Sequence, residues 1–171
     1  MTDLPPARNL LETAPPRCDA VVVLNYDERL LRRKRLQTTC GAEFLVDLPE
    51  VTNLDAYWGF ELEDGTCVQV QPASEPVLVI TGAGLARFAW HIGNRHTPCQ
   101  IEAERLVIRA DHVLEAMLRQ LGATVTDDCA PFTPELGAYG MGRPMGHDHG
   151  HTHDHSHTHH HDHAHSHAHH G

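Results

Sequence analysis

Long apolar runs are missing from this chain. The longest unbroken aliphatic stretches, Val21–Leu24 and Val77–Ile80, are four residues each, against the roughly 20 that a membrane-spanning helix needs. No Cys-x-x-Cys pair occurs. The five cysteines (Cys18, Cys40, Cys67, Cys99, Cys129) are odd in number and widely spaced, which excludes a zinc ribbon. They read as reduced, cytosolic thiols, many of them simply small hydrophobes. Positive charge is scarce: 13 Lys and Arg face 23 Asp and Glu, for a net charge of −10. That balance argues against a nucleic-acid partner. Met1–Leu10 holds an acid, two prolines and no apolar run, so no secretory signal is expected and a cytoplasmic location follows.

Histidine is what the chain has in excess. Of the 25 residues from His147 to Gly171, 14 are histidine: His147, His149, His151, His153, His155, His157, His159, His160, His161, His163, His165, His167, His169 and His170. The others are small or acidic and cannot build a core, so the stretch is expected to be disordered by itself. Imidazole suits Ni(II), Zn(II) and Cu(II) and is largely neutral near pH 7. Alternate spacing puts side chains on one side of an extended chain, about 6.5–7 Å apart. A flexible backbone can then fold several onto one ion. An expression tag would usually be an unbroken run, whereas this one is interleaved with Asp, Ser, Thr and Ala. Setting aside its three aspartates leaves 20 acids against 13 bases, a net charge of −7 for the rest.

The preceding residues divide in two. Residues 1–19, with four prolines, read as an irregular leader. Residues 20–76 read as a β-rich module. Val21–Leu24 and Phe44–Leu48, the latter stopped by Pro49, are strand candidates. Phe60 and Leu62 alternate with acids, Asp64-Gly65 follows, and Val68 and Val70 alternate with Gln, which predicts a hairpin. The basic run Arg29–Arg35 is either a solvated strand edge or a docking patch for an acidic partner. No phosphate loop and no nucleophile with its base gathers here. Pro72–Pro76 is a linker. Residues 77–139 then give β-α-β-β-α-β, a ferredoxin-like order, making the whole an α+β protein. Its helices are marked by Leu85, Phe88, Ala89 and Ile92, and by Val113, Leu114, Met117, Leu118 and Leu121. Asp111 is the N-cap and Gly122 the stop of the second helix. Residues 140–171 form a Gly/Met/Pro hinge and the tail.

Three residues near the helices are candidate ligands. His96 lies 11 residues after Leu85, about 20° from it on a helical wheel, so it points to the apolar face if the helix reaches it. It is either a cation favoured by the helix C-terminus or half of a metal site shared by two chains. Cys99 is either a packed thiol or a further ligand. His112, in the first turn of the second helix, is either a solvated histidine or a neutral, metal-competent ring.

Gly93-Asn94-Arg95-His96 with Pro98, Asp111-His112-Val113-Leu114 before an amphipathic helix, and Pro131-Phe132…Gly137-Ala138-Tyr139 before a His-rich tail resemble the UreE family of urease accessory proteins. The resemblance runs from about residue 20 onward. It implies a homodimeric nickel metallochaperone whose first domain is similar to a peptide-binding module. The second would carry the shared metal histidine, matched by His96. Ni(II) would be cargo, with Zn(II) or Cu(II) also able to bind, and the partners would be the urease accessory GTPase and apo-urease. Some relatives bind metal at a His-Asp-His stretch; here its first position is Ala110, leaving His112 as a secondary site. The implied function is capture and delivery without catalysis. The alternative is a general histidine-rich nickel or zinc buffer in which the tail does all the binding.

Overall fold

A computed structural model describes residues 3–137. It contains ten strands, two α-helices and two 3-10 turns among those residues, and the strands form two sheets.

The first sheet is mixed and six-stranded. Its strands are β1 (Ala7–Leu11), β2 (Ala20–Leu24), β3 (Leu30–Gln37), β4 (Glu43–Asn53), β5 (Gly59–Leu62) and β6 (Cys67–Pro72), in the spatial order β2-β6-β5-β1-β4-β3. Alternation places Val22, Leu24, Phe44, Val46, Leu48, Phe60, Leu62 and Val68 in one core. Within that core Phe44 and Phe60 meet edge to face at 5.7 Å. The β5–β6 hairpin turns at Asp64-Gly65 as predicted, with Gly65 at a φ of 83°.

Two strand expectations are corrected. The leader is not wholly irregular, because Ala7–Leu11 lies between β4 and β5 in the middle of the sheet and Ala7 is fully buried. Five residues carry little pattern of their own; pairing on both sides decides their conformation. Pro49 does not stop β4. The β3–β4 register shifts between Leu31↔Thr52 and Arg33↔Asp47, so Pro49 falls where the ladder is interrupted and its missing N–H is not needed.

The second sheet is antiparallel and four-stranded: β7 (Ser74–Thr81), β8 (Gln100–Ile101), β9 (Leu106–Arg109) and β10 (Thr124–Pro131), in the order β10-β7-β9-β8. Helices α1 (Leu85–Gly93) and α2 (His112–Gln120) give the chain order β-α-β-β-α-β. Leu78, Ile80, Leu106, Ile108 and Val125 meet Phe88, Ile92, Leu114 and Leu118 in the second core. The alternate positions Val77 and Val107 pack on Phe132 and on Tyr26 from the first unit.

Arg29 joins the two units. It is only 1% exposed. Its guanidinium donates to Asp55 Oδ1 at 2.5 Å, to the Leu24 carbonyl at 3.0 Å and to the Phe132 carbonyl. The rest of the basic run lies along β3, an edge strand, and is exposed. Arg33, Lys34 and Arg35 are paired with Asp47, Glu28, and Asp3 and Glu43. Thus the strand-edge reading holds for these residues, and Arg29 departs from it.

Candidate metal centre

Helix α1 is amphipathic and buries Phe88 and Ile92. It does not run on to His96. The Arg95 N–H bonds to the Ile92 carbonyl at 3.0 Å, the His96 N–H to the Gly93 carbonyl at 2.9 Å, and the Thr97 N–H to the Ile92 carbonyl at 3.5 Å. The last two are the reverse-turn pair of a Schellman cap, in which the residue after the helix adopts the left-handed conformation. His96 is that residue, with a φ of 53°, and it is the sole non-glycine with positive φ among the described residues. The condition under which His96 would point to the apolar face, that the helix reach it, is not met: the chain reverses first and the residue is exposed. Thr97 precedes Pro98, which disfavours a further helical turn.

His96 borders an open groove of about 540 Å³, shared with Glu75, Thr97, Arg109, Asp111 and Leu114. Helix α2 begins there because Asp111 Oδ1 accepts the N–H groups of Val113, at 2.8 Å, and Leu114, at 2.9 Å. The other charges in the groove are also engaged. Arg109 Nη1 donates to Asp27 Oδ2 at 2.7 Å and stacks over the Tyr26 ring. Glu75 Oε2 accepts the Tyr26 N–H at 2.7 Å. His96 is thus the imidazole of a groove whose charged neighbours have partners of their own. No three His, Cys, Asp or Glu side chains converge in a metal-binding arrangement among the described residues.

The remaining candidates separate. His112 is exposed at the start of α2. His91 packs on the edge of Trp90, with ring centres 4.9 Å apart. Cys99 is packed against the second core, and burial, followed by the Glu135 charge, pushes its thiol up to about 11. Its place among the core side chains fits the packed-thiol reading. Cys18, Cys40 and Cys129 are exposed, so the reading of many cysteines as small hydrophobes does not describe these three. Hydrogen bonding of Cys40 with the Thr38 hydroxyl, and then with the Ala42 backbone, lowers its thiol below the usual value. The tail histidines, His147 to His170, and the hinge lie outside the described residues. Sequence reasoning missed Glu75 and Arg109, which reach the groove through the sheet register; nothing in their local pattern marks them.

Both helices also carry a large apolar side chain in solvent, Trp90 at 62% exposure on α1 and Val113 at 54% on α2. No helix among the described residues is long and apolar enough to cross a membrane.

Residues 2–73 match the family model for the UreE urease accessory protein N-terminal domain, and residues 75–170 match that for its C-terminal domain. The chain is 59% identical over 151 residues to the urease accessory protein UreE of Cereibacter sphaeroides, covering 86% of this chain and 81% of the relative. It is 64% identical over 126 residues to the protein of the same name from Rhodobacter capsulatus, covering 74% and 80%. With that of Paracoccus denitrificans the identity is 59% over 140 residues, covering 82% and 90%. Two matched domain models across nearly the whole sequence, and relatives at this identity over most of their length, place the chain in the UreE family of urease accessory proteins.

Proposed function

We propose that the protein captures Ni(II) and delivers it for assembly of the urease active site. It would act as a homodimer in which the two His96 side chains share one ion, with tail histidines or water completing the shell. The single observation that carries this reading is the conformation of His96. A left-handed non-glycine residue costs about 1–2 kcal/mol, and such residues persist where function requires them. Here the strained residue is also an exposed imidazole at the mouth of a groove. A lone imidazole does not hold a transition ion, so a second copy across a two-fold axis is the economical source of another donor. Exposed Trp90 and Val113 on the two helices supply apolar surface for such a contact.

The tail would serve as a reservoir that raises the local concentration of ligands near the His96 pair. Transfer would then proceed by ligand exchange to the accessory GTPase and on to apo-urease, without catalysis by this chain. Zn(II) or Cu(II) would compete for the same nitrogen donors. Family membership supports the urease setting, and the histidine content supports the class of metal. Calorimetric nickel titration of the protein ending at Gly146, with and without His96→Ala, tests the reading. One tight ion per dimer that disappears in the variant is expected; a tight site untouched by the substitution would leave only the storage buffer.

A further inference from the structure

The first unit reaches the His96 groove through two consecutive residues, Tyr26 and Asp27. They stand where β2 passes into the 3-10 turn Asp27–Arg29. Tyr26 is buried against Val77, Val107 and Phe132 of the second unit, and its ring meets that of Phe132 edge to face at 5.3 Å. It is therefore a fixed platform. Its backbone N–H donates to Glu75, and the Arg109 guanidinium lies 5.0 Å from the centre of its ring. Asp27 then accepts from Arg109 Nη1 at 2.7 Å. Glu75 and Arg109 both line the groove. Two of its charged walls are thus held by neighbouring residues of the other unit, 49 and 82 positions away in the chain.

The charges of these walls bear on a cation at His96. Arg109 is the one Lys or Arg among the described residues that line the groove, and Glu75 and Asp111 are its carboxylates. A divalent ion is attracted by the carboxylates and repelled by the guanidinium. Asp27 cancels that repulsion, and its contact, together with the Tyr26 ring, keeps Arg109 on the seam between the units. Stability is a poor reason for this pair. The Arg109 and Asp27 side chains are 41% and 73% exposed, and ion pairs so open to solvent contribute little to folding.

We propose that Asp27 is a positioning residue for nickel binding: it restrains and neutralises Arg109, so that the first unit sets the electrostatic field of the metal groove in the second. The inference rests on the reading of His96 as the nickel ligand. Without the Asp27 charge, each protomer presents an uncompensated guanidinium to the shared ion. Its distance is roughly 10 Å, the width of a groove of about 540 Å³. Two such charges, at an effective dielectric of about 40 and screened by about 0.1 M salt, weaken binding about tenfold.

The test titrates the full chain with Ni²⁺ in competition with nitrilotriacetate, at about 0.1 M and about 1 M salt. The His96→Ala chain supplies the baseline for every other nickel ligand. Asp27→Asn should raise the dissociation constant of the tight site about tenfold at the lower salt and less than about twofold at the higher. Arg109→Gln alone should not weaken the site. Asp27→Asn combined with Arg109→Gln should return it to within about twofold of the unaltered protein, because both charges leave together. Asp27→Glu should bind as the unaltered protein does. A merely structural contact would behave differently: the double variant would bind no better than Asp27→Asn, and salt would not narrow the gap. Either of those results, or unchanged affinity in Asp27→Asn, would overturn the proposal while leaving His96 as the ligand. A tight site that persists in His96→Ala would overturn both.

Discussion

His96 occupies, at the end of α1, the position that Gly122 occupies at the end of α2. Each follows its helix in the left-handed region, with φ of 53° and 90°. Each cap has the same pair of bonds: Gly122 to the Arg119 carbonyl and Ala123 to the Leu118 carbonyl, both at 3.0 Å, mirror those of His96 and Thr97. Glycine adopts this conformation without strain, and histidine does not. One helix therefore ends on the residue that suits this conformation, and the other on an imidazole held in it at a cost.

That contrast yields a sharp substitution. His96→Gly should leave stability unchanged or raise it by up to about 1 kcal/mol, because relief of strain outweighs the extra freedom of the unfolded chain. His96→Ala keeps the strain and should gain nothing. Both should lose the tight nickel site, while total nickel uptake by the tail barely falls. Urea unfolding and calorimetry on the same samples separate the two effects. A His96→Gly protein that unfolds more readily would show that the side chain serves the fold instead.

Deleting the tail divides the binding into classes. Cutting after Gly146 leaves every described residue in place, so the truncated dimer should retain about one tight ion. The full chain should take up several more, weakly. Unperturbed histidine titrates near 6.5, and a ring must be neutral to bind. The additional uptake should accordingly fall steeply below about pH 6. Equilibrium dialysis between pH 5 and 8 measures it; unchanged uptake at pH 5 would mean that imidazole is not the main donor.

Thiol chemistry should rank the cysteines. The raised Cys99 thiol, at about 11, leaves almost no thiolate at pH 8, whereas Cys40 is exposed and lowered by its hydrogen bonds. Iodoacetamide should alkylate Cys40 early and Cys99 last, as read by mass spectrometry. The sign for stability follows from burial of the neutral form. The contribution of Cys99 is fully present below its ordinary value near 9 and is lost as pH rises from there toward 11. Rapid labelling of Cys99 in the folded protein would contradict its packing.

Arg29 should be costly to remove alone. Arg29→Ala takes the guanidinium away from the Asp55 carboxylate, which is only 9% exposed, and from two backbone carbonyls, a loss of about 3–5 kcal/mol for a buried pair broken on one side. Arg29→Met with Asp55→Leu should restore much of that, since both charges leave together. Urea denaturation of the two variants compares them, and equal destabilisation would mean that the pair is not what matters.

The helix cap is a smaller and cleaner case. Asp111→Ala removes the acceptor for two N–H groups at the start of α2 and should cost about 1 kcal/mol. Asp111→Asn should retain most of it.

Much of this protein follows from local pattern alone. The β5–β6 hairpin rests on alternation around Asp64-Gly65, and α2 on Asp111 at one end and Gly122 at the other. Each is set by neighbours within a few residues, where propensity and periodicity act. What tertiary structure decided lies at longer range. Ala7–Leu11 becomes a central strand because β4 and β5 pair with it from both sides. Pro49 survives inside β4 because the register slips beside it. Arg29, indistinguishable in sequence from the solvated arginines that follow it, is buried because Asp55 and the Phe132 carbonyl, 26 and 103 residues away, close around it. His96 shows both limits at once. Its residue type and setting before Thr97-Pro98 marked it as a candidate, but the helical wheel could aim it only if the helix reached it. The backbone bonds of the cap turned it outward, and a cap depends on where the chain must go next, which periodicity does not encode.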